Sequence, residues 1–419
     1  MGHILLFLYS LLAPVIAGLY AVFFFLSPRR ALMRGLGGEF NERLGLGPAA
    51  AGPRPVWIHA ASLGEVKAVS KLAPELSAAF KAPLLITSST ASGRAEAAKL
   101  GTARLAPLDF YPAAANFIKK NRPLMLVVAE TEIWPATLYA AASYGVPVFM
   151  VNARISGKTL ALYEILGPLA RLAFSGVKQV LAQTEQDAER FRRLAGLAGK
   201  VAVTGNLKHD QLGGSQAGQD KVKHFFEASD WGDSPVFTAG STHPEEEPVI
   251  IQAWLEARAS VPGLKLVMVP RHPERLAESE AILKAHGVAF TRWSSTVVPE
   301  RADCLLVDAM GLLQAFYAVS AVCFVGGTLD DTGGHNLLEP ALYSRPALFG
   351  PNYINAQHAG DVLIKEKGGF LVETAHEMAG TLALLLKDPA ALKTAQDDSA
   401  RALASLKGAT AKTMSAITS

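Results

Sequence analysis

A glutamate near the start of this 419-residue chain stands where a carboxylate can act as a base. The segment Ser62-Leu63-Gly64-Glu65 follows an apolar run that ends at His59. Gly64 lets a ligand approach, and Glu65 lies near the start of a predicted helix without an obvious cationic partner. Such a carboxylate is a candidate general base. A carboxylate at a helix N-terminus is also stabilised by the helix dipole, so a purely structural role stays open.

Two further carboxylates, Glu130 and Glu132, follow another apolar run and alternate with Thr131. In an extended chain they point the same way, and like charges that close raise the pKa of one of them. The pair indicates either a site or a hydrogen-bonding scaffold. Arg154, after the next predicted strand, either neutralises the pair or holds a substrate phosphate.

In the second half, residues 240–247 read Gly-Ser-Thr-His-Pro-Glu-Glu-Glu and predict a helix start. Thr242 with Glu245 has the spacing of a capping box, and Pro244 suits a first turn. The cap explains the segment by itself. Alternatively, the helix N-terminus cradles a phosphate, with Gly240 allowing close approach.

Arg271 and His272 lie between two prolines at a predicted strand end and form a rigid cationic rim. Such a rim suits a phosphate or a carboxylate, and a surface ion pair of Arg271 is the less favoured alternative. Further on, Asn336 and Glu339 lie three residues apart at a predicted helix start, after the glycines Gly326, Gly327, Gly333 and Gly334. A carboxylate there can accept hydrogen bonds from the vicinal hydroxyls of a ribose, or it can simply favour the helix N-terminus.

Several other chemistries find no support in the sequence. There is no HExxH motif, no Cys–His ligand set, no GxSxG elbow and no Walker-type loop, so no metal or cofactor is predicted. Cys304 and Cys323 lie in apolar runs without CxxC spacing and are predicted to be buried thiols. The formal charge of +3 does not argue for nucleic acid binding.

Short β-branched runs alternate with longer amphipathic segments, which is typical of a doubly wound α/β sheet. Predicted strands of the first half are Pro55–His59, Leu84–Thr87, Leu124–Ala129, Val146–Val151, Gln179–Ala182 and Val201–Thr204. Those of the second half are Val236–Ala239, Leu264–Val269, Val288–Thr291, Leu305–Val307, Ala321–Val325 and Ala347–Phe349. A polar stretch at 212–220 and a helix at 221–228 separate the halves. Because ligands bind at the carboxyl ends of parallel strands, we expect two lobes with a ligand between them.

The N-terminus carries an uncharged apolar segment, Ile4–Leu26, followed by Arg29, Arg30 and Arg34. As a helix it is long enough to cross a bilayer core of roughly 30 Å. The arginines predict that the body of the protein stays cytoplasmic. A spanning anchor, a helix lying in the membrane interface and a buried core helix all remain open, because Pro14 and Gly18 interrupt the segment.

Ten motifs in one order resemble the Kdo (3-deoxy-octulosonic acid) transferases of lipopolysaccharide assembly, which are GT-B glycosyltransferases. The resemblance extends to about residue 360. The motifs are HAASLGEV, TSSTASG, PLDFYP, AETEIWP, VNARIS, TGNLKHD, GSTHPEEE, VPRHPER, DAMG and GGHNLLEP. It implies two Rossmann-like α/β domains facing a cleft, with an N-terminal apolar membrane-anchor helix. The implied boundaries are 1–28 for the anchor, 29–215 for the acceptor domain, 230–400 for the CMP-sugar donor domain and 401–419 for a C-terminal helix that packs back on the acceptor domain.

The resemblance also implies an inverting transfer of Kdo from CMP-Kdo to a lipid A precursor at the cytoplasmic face of the bacterial inner membrane. Glu65 matches the general base, and no metal is demanded. The implied acceptor-side residues are Ser62, Gly64, Glu130, Glu132 and Arg154. The implied donor-side residues are Ser241, Thr242, His243, Arg271, His272, Met310, Gly311, Leu312, Asn336 and Glu339.

One position departs from the family pattern, because Leu312 stands where the Met310-Gly311 pair is usually followed by an acidic residue. A side-chain contact near the nucleotide is therefore expected to be lost. The alternatives are a nucleotide-sugar epimerase, a membrane-tethered binding protein without activity, and a transferase that uses another acidic sugar or lipid acceptor. The apolar N-terminal segment argues against an epimerase, whose substrate and product are soluble.

Overall fold

The computed structural model describes residues 1–12, 18, 36–216, 218–229, 231–232, 234–295 and 302–419. These residues form two compact units. The first unit comprises Met1–Gln211 together with Lys407–Ser419, and the second comprises Leu212–Leu406. Each unit is an α/β fold around one parallel sheet, so the two α/β folds expected from the strand pattern are confirmed.

The first unit is built on a seven-stranded parallel sheet in the order β3-β2-β1-β4-β5-β6-β7. Its strands are β1 Val56–His59, β2 Leu84–Ser88, β3 Thr102–Leu105, β4 Met125–Ala129, β5 Val148–Ala153, β6 Val177–Ala182 and β7 Val201–Val203. Alternate residues serve two cores, because Trp57 packs on one face of the sheet and Ile58 on the other. A sheet buried on both faces explains why its central strands read as continuous apolar runs.

Helices cover both faces of this sheet. They are α1 at residues 2–12, α2 Leu36–Arg43, α3 Leu63–Val69, α4 Leu72–Phe80, α5 Ala91–Ala97, α6 Tyr111–Asn121, α7 Pro135–Ser143, α8 Gly157–Ile165, α9 Gly167–Ala173, α10 Glu185–Arg192 and α11 Leu207–Asp210. The last helix of the chain also belongs to this unit and packs on α4 and α11; it spans Ala409–Thr418 and is numbered α19 below.

The second unit has a parallel sheet in the order β10-β11-β9-β8-β12-β13-β14. Its strands are β8 Val236–Thr242, β9 Lys265–Pro270, β10 Phe290–Arg292, β11 Cys304–Leu306, β12 Val322–Val325, β13 Ala347–Phe349 and β14 Gly369–Leu371. Its helices are α12 Gln219–Ala228, α13 Glu247–Arg258, α14 Leu276–Ala285, α15 Leu313–Val319, α16 Gln357–Lys365, α17 Ala375–Lys387 and α18 Pro389–Leu406, and α19 completes the series. Short 3-10 segments lie at Phe174–Gly176, Pro273–Arg275, Pro340–Tyr343 and Ile354–Ala356.

Each sheet reverses its winding direction once, and the polar motifs lie at that reversal. In the first unit β1 is neighbour to β4, and in the second unit β8 is neighbour to β12. At such a switch point the loops after the two strands diverge and leave a crevice for a ligand. HAASLGE and AETEIWP therefore meet in the first unit, and GSTHPEEE and VGGTLDD meet in the second.

All twelve predicted strands are present, with shifted ends in most cases. The prediction missed β3 and β14, which lie at the edges of the two sheets. Thr102–Leu105 buries only its last residue, and Gly369–Leu371 begins with a glycine. Short segments with partial burial lack the apolar runs that identify the central strands.

The apolar N-terminal segment falls largely outside the described residues, as do Arg29, Arg30 and Arg34. The part that is described forms α1. Within the described ranges no helix has the length and apolar character needed to cross a bilayer. The spanning anchor thus stays a prediction.

Candidate active site

In the first unit, Glu65 closes a reciprocal cap at the start of α3. Ser62 is the N-cap residue, and its hydroxyl accepts a hydrogen bond from the Glu65 N–H at 3.3 Å. The same hydroxyl donates to Glu65 Oε1 at 2.8 Å, and the Ala61 N–H donates to Oε2 at 2.8 Å. This is a variant of the capping box in which the Ala61 N–H replaces that of the N-cap residue, so Glu65 does have a structural role. Each carboxylate oxygen keeps a second lone pair for a further donor.

The surroundings of Glu65 raise the pKa of its carboxyl group. Burial raises its pKa, the hydrogen bonds from Ser62 and Ala61 lower it, and the charges of Glu132 and Glu130 raise it, with a raised pKa as the net result. Gly64 is exposed beside it, and a Cβ there meets only Ser62 Oγ, at 3.8 Å. The fold therefore does not require a glycine at position 64, and the missing side chain leaves the approach to Glu65 open.

The extended backbone on which the shared direction of Glu130 and Glu132 was predicted is absent, because the chain turns directly after β4. Glu130 takes a left-handed backbone with φ 55°, and each carboxylate finds its own partners. Glu132 accepts a hydrogen bond from Trp134 Nε1 at 2.6 Å and lies 3.7 Å from His59 Nε2. Burial raises the pKa of Glu132, but these two partners outweigh it and leave that pKa lowered. The raised pKa belongs instead to Glu65.

His59 is buried at the end of β1, 6% exposed, and its Nε2 has no hydrogen-bond partner among the described residues. Trp57 Nε1 donates to Thr87 Oγ1 at 2.8 Å, and the Thr87 hydroxyl lies 3.0 Å from His59 Nδ1. The Thr87 oxygen accepts from Trp57, so the Thr87 hydroxyl proton is free to go to His59 Nδ1. With Nδ1 as acceptor, the ring proton of His59 lies on Nε2, which faces Glu132.

Glu130 is held by two residues of neighbouring strands and loops. Lys208 Nζ lies 2.8 Å from its Oε1, and Asn152 Nδ2 donates to the same oxygen at 3.4 Å. Asn152 is fully buried with φ 52°, and its Oδ1 accepts the Leu207 N–H at 2.9 Å. Left-handed non-glycine residues at strand ends are typical of sites where surrounding contacts enforce the geometry.

Arg154 does not neutralise the glutamates, because Glu130 pairs with Lys208 and Glu132 lies beside His59 and Trp134. Its carbonyl accepts the Thr131 hydroxyl at 2.8 Å, while the residue is exposed. Its guanidinium makes no ion pair or hydrogen bond within the described part of the chain. Of the two roles predicted for Arg154, contact with a substrate anion remains.

In the second unit, the loop after β12 is organised by a buried carboxylate rather than by a helix cap. Glu246 is 0% exposed and accepts four backbone N–H groups. Gly327 and His243 donate to Oε2 at 2.8 and 3.2 Å, and Thr328 and Leu329 donate to Oε1 at 2.9 and 2.8 Å. Burial raises the pKa of Glu246, and the backbone N–H donors of Leu329, Gly327 and Thr328 oppose that rise by stabilising the carboxylate.

The predicted capping box of Thr242 with Glu245 is wrong. Thr242 ends β8, and its hydroxyl donates to Glu247 Oε1 at 2.9 Å, while Glu245 is exposed. Close packing within the unit also requires two of the glycines. An added Cβ would collide with the Tyr317 hydroxyl at Gly240 and with the Ser241 carbonyl at Gly326. The fold thus accounts for these two glycines without a ligand.

Three histidines and an aspartate meet beside that loop. His243 Nδ1 lies 3.3 Å from Asp330 Oδ2, and His243 Nε2 lies 2.9 Å from His335 Nε2. The His272 ring stands edge-on to that of His243, with centroids 5.9 Å apart. Burial, followed by the charges of His243 and Arg271, lowers the pKa of His335 to about 4. His335 is therefore neutral at pH 7, and one proton bridges the two Nε2 atoms.

Asp330, His243 and the exposed Glu245 each offer one ligand atom, and these atoms lie within 4.8 Å of one another. Both nitrogens of His243 are already engaged by Asp330 and His335.

Arg271 is exposed at the end of β9, close enough to Glu339 for its charge to lower the pKa that burial raises in that carboxyl. Asn336 Nδ2 donates to Glu339 Oε1 at 3.4 Å, so the predicted pair does share one side of its turn. The turn leads into a 3-10 segment, Pro340–Tyr343, rather than an α-helix. His272 faces Glu274, with Nδ1 3.2 Å from Oε1.

Leu312 has a packing role that replaces the expected acidic contact. Met310 is 70% exposed, and Gly311 has φ 82°. Leu312 packs against a core that includes Phe316. Its side chain also lies so close to Gly218 that an added Cβ at Gly218 would collide with it. Ser241, at φ 56°, offers a left-handed backbone at the end of β8.

Comparison with known proteins gives this site its context. Residues 38–211 match the family described as 3-deoxy-D-manno-octulosonic-acid transferase (kdotransferase). Over 378 residues the chain is 34% identical to a 3-deoxy-D-manno-octulosonic acid transferase of Bordetella pertussis, covering 87% of this chain and 86% of that protein. The chain belongs to the Kdo transferase family. Another similar protein, the 3-deoxy-D-manno-octulosonic acid transferase of Haemophilus influenzae, is 30% identical over 337 residues, which are 78% of each chain.

As a member of the Kdo transferase family, the chain is a glycosyltransferase. Solved structures of low identity share its fold. A glycosyltransferase from Rickettsia africae has a TM-score of 0.57 at 12% identity, covering 87% of this chain and 97% of that one. A UDP-GlcNAc 2-epimerase from Neisseria meningitidis has a TM-score of 0.56 at 15% identity, covering 87% and 99%. The fold alone is therefore shared between transferases and epimerases.

Several polar residues of this candidate site were not predicted, although they lie in or beside the motifs of the sequence. They are His59, Asn152, Lys208, Glu246, Asp330 and His335. Each lies at the end of a strand or in the motif that follows it, and each contacts a residue that is distant in sequence. The density of polar residues in these motifs was the available signal, but the pairings require the folded chain.

Proposed function

We propose that this glycosyltransferase moves Kdo from CMP-Kdo to a sugar hydroxyl of a lipid A precursor, with inversion at the anomeric carbon and Glu65 as general base. The observation that carries the proposal is the charge pattern around Glu65. Lys208 faces Glu130 and His59 faces Glu132, whereas Glu65 has no cationic partner among the described residues. Its pKa is raised.

A base of this kind must accept a proton from a hydroxyl that lies within hydrogen-bond reach. Glu65 is half-buried, has a free lone pair on each oxygen and is flanked by the open face of Gly64. An acceptor hydroxyl approaching over Gly64 meets the carboxylate, gives up its proton and attacks the anomeric carbon. The exposed guanidinium of Arg154 supplies a cation for a phosphate of the acceptor.

The donor is expected at the second unit. Arg271, beside Glu339, offers a guanidinium at the end of β9 that suits the phosphate of CMP-Kdo. Asn336 and Glu339 together present an amide and a carboxylate for ribose hydroxyls. The departing CMP keeps the electron pair of the broken bond, and fixed cations stabilise its phosphate without a proton transfer.

The first test is CMP release from CMP-Kdo by the full chain, with and without lipid A precursor. We expect acceptor-dependent release by wild type and a loss of about 10²–10⁴-fold in kcat for Glu65→Gln. Glu75→Gln, an exposed glutamate of α4, is the matched control and is expected to keep full activity. Equal activity of Glu65→Gln and Glu75→Gln would remove Glu65 from the reaction. Absence of release by wild type would reject this donor and acceptor.

The pH profile gives a second test of the base. Because the raised pKa keeps Glu65 protonated to higher pH than an ordinary glutamate, kcat/KM is expected to fall on acidification from above the usual range near 4.3. A profile that stays flat down to that range would contradict a raised pKa.

For the location we propose the cytoplasmic face of the inner membrane, with α1 lying in the interface. One side of α1 packs on α7 and α9, where Leu6 is 5% exposed. The other side exposes Ile4, Phe7, Leu8, Leu11 and Leu12. Their i, i+3, i+4, i+7, i+8 spacing forms a continuous apolar face, which favours an interfacial helix over a spanning one. Phe7→Glu with Leu11→Glu is expected to reduce co-sedimentation with anionic vesicles; unchanged binding would refute this orientation.

A further inference from the structure

Asp109, in the PLDFYP motif, is a buried carboxylate for which the proposed reaction has no use. It is 4% exposed and accepts four hydrogen bonds. Thr137 donates from its N–H and its hydroxyl to Oδ1, each at 2.7 Å, and the Ala136 N–H donates to Oδ2 at 3.2 Å. The fourth donor is the hydroxyl of Tyr9 in α1, which lies 2.8 Å from Oδ2.

Through Ala136 and Thr137, Asp109 caps the first turn of α7 from a distant loop. The N-cap residue of α7, Trp134, provides no side-chain cap of its own. The buried N–H groups of this turn therefore depend on Asp109 for an acceptor. Trp134 in turn donates to Glu132 at 2.6 Å, so the cap fixes the segment that holds Glu132.

The N-terminal helix completes this arrangement. Besides the bond from Tyr9, the hydroxyl of Ser10 accepts the Tyr111 N–H at 3.3 Å, and the Gly2 backbone lies against Pro168. A second tyrosine contact exists between α1 and α7: the Tyr139 hydroxyl lies 3.3 Å from His3 Nδ1. Of these contacts between α1 and the rest of the unit within the described residues, the one from Tyr9 reaches Asp109.

We propose that Tyr9 and Asp109 are positioning residues for the acceptor side of the site. The hydrogen bond from α1 holds Asp109 on the first turn of α7, and that turn holds Trp134 and Glu132 in place. The segment that we assign to the membrane interface thus also sets the geometry at the carboxyl end of β4. This inference rests on the proposed function, because Glu132 is an acceptor-side residue only in that reaction.

The test compares two tyrosine variants of the full chain. Tyr9→Phe removes only the hydroxyl that reaches Asp109, whereas Tyr139→Phe removes a hydroxyl from the same helix contact without touching Asp109. We expect Tyr9→Phe to raise the KM for the lipid acceptor by about 10-fold, less than the roughly 10²-fold cost of a 1 Å misplacement, because three of the four hydrogen bonds to Asp109 remain. The KM for CMP-Kdo is expected to stay unchanged, and Tyr139→Phe to behave as wild type.

Hydrogen exchange at the amides of Ala136 and Thr137 gives a readout that does not depend on the reaction. Faster exchange is expected in Tyr9→Phe, and faster still in Asp109→Asn, where one oxygen no longer accepts. Unchanged exchange and unchanged acceptor KM in Tyr9→Phe would overturn the inference while wild-type activity keeps the proposed function. Parallel changes in the KM for donor and acceptor would also overturn it, as a general loss of structure. If wild type shows no transfer, the proposed function fails, and the exchange result alone decides whether Tyr9 holds this turn.

Discussion

The carboxylate of Glu246 allows a quantitative prediction, because its two oxygens divide four N–H donors equally. Oε2 accepts from His243 and Gly327, and Oε1 accepts from Thr328 and Leu329. In Glu246→Gln, one oxygen remains and an NH2 group replaces the other. Whichever way the amide turns, two backbone N–H groups of a buried loop lose their acceptor and face another donor.

The size of the effect follows from those two groups. A buried donor without a partner costs about 1–3 kcal/mol, so two of them cost roughly 2–6 kcal/mol. Part of this is offset because burying a neutral amide is less costly than burying a carboxylate. We therefore expect the second unit to lose about 3 kcal/mol of unfolding free energy. For a domain of this size that lowers the Tm by roughly 6–12 °C.

The assay is calorimetric unfolding of the full chain, with Glu245→Gln as the matched control. Glu245 is the exposed neighbour of Glu246, and its substitution is expected to change stability by no more than about 0.5 kcal/mol. CMP affinity is measured alongside, because the loop that Glu246 holds lies at the carboxyl end of β12, where a ligand of a parallel sheet is expected. If both variants melt at the same temperature, water or rearrangement satisfies the N–H groups, and the carboxylate does not organise the loop as described.

Two other predictions concern one residue in each unit. Gly64→Ala is expected to stabilise the first unit slightly, by about 0.5–1 kcal/mol, because alanine favours a helix. Gly64→Ala is also expected to lower kcat/KM for the acceptor by about 10-fold or more, since its methyl group stands over the approach to Glu65. The control is Gly157→Ala at the start of α8, where an added Cβ has no neighbouring atom within 4 Å. Equal kinetics of the two variants would refute the proposed approach. The pKa of His335, lowered to about 4, means that the unfolded chain takes up a proton near pH 6.5 while the folded chain does not. Neutral His335 therefore leaves the free energy of unfolding intact above pH 6.5, and this free energy falls by about 1–3 kcal/mol as the pH drops towards 4. His335→Gln should flatten this dependence of unfolding free energy on pH. His376→Gln, at a side chain 95% exposed, should leave it unchanged.

The sequence predicted the placement of the motifs well because parallel strands impose it. Continuous apolar runs such as Met125–Ala129 identify buried strands, and polar residues after them must lie at one edge of the sheet. Glu65 could be singled out on these grounds. The edge strand Thr102–Leu105 could not, since its residues resemble those of a loop and its identity depends on pairing with β2.

The partners of the site residues were beyond sequence reasoning for a different reason. Asp109 caps a helix that starts 26 residues later, and Glu246 binds a loop more than 80 residues away. A buried aspartate and an exposed one look alike in sequence, because hydrogen bonding decides whether burial is tolerated. The extended-chain argument for Glu130 failed because a left-handed residue at the strand end redirects the backbone, and side-chain alternation gives no sign of it.

The chain's last segment has a consequence for the order in which the protein folds during synthesis. Asp210 accepts hydrogen bonds from the Gly408 and Thr410 N–H groups, and Ala409 and Ile417 fill the core of the first unit. The ribosome therefore releases residues 407–419 only after the whole second unit has been made. The second unit is continuous in sequence and can complete itself first. The first unit must wait, partly assembled, until residues 407–419 have been translated.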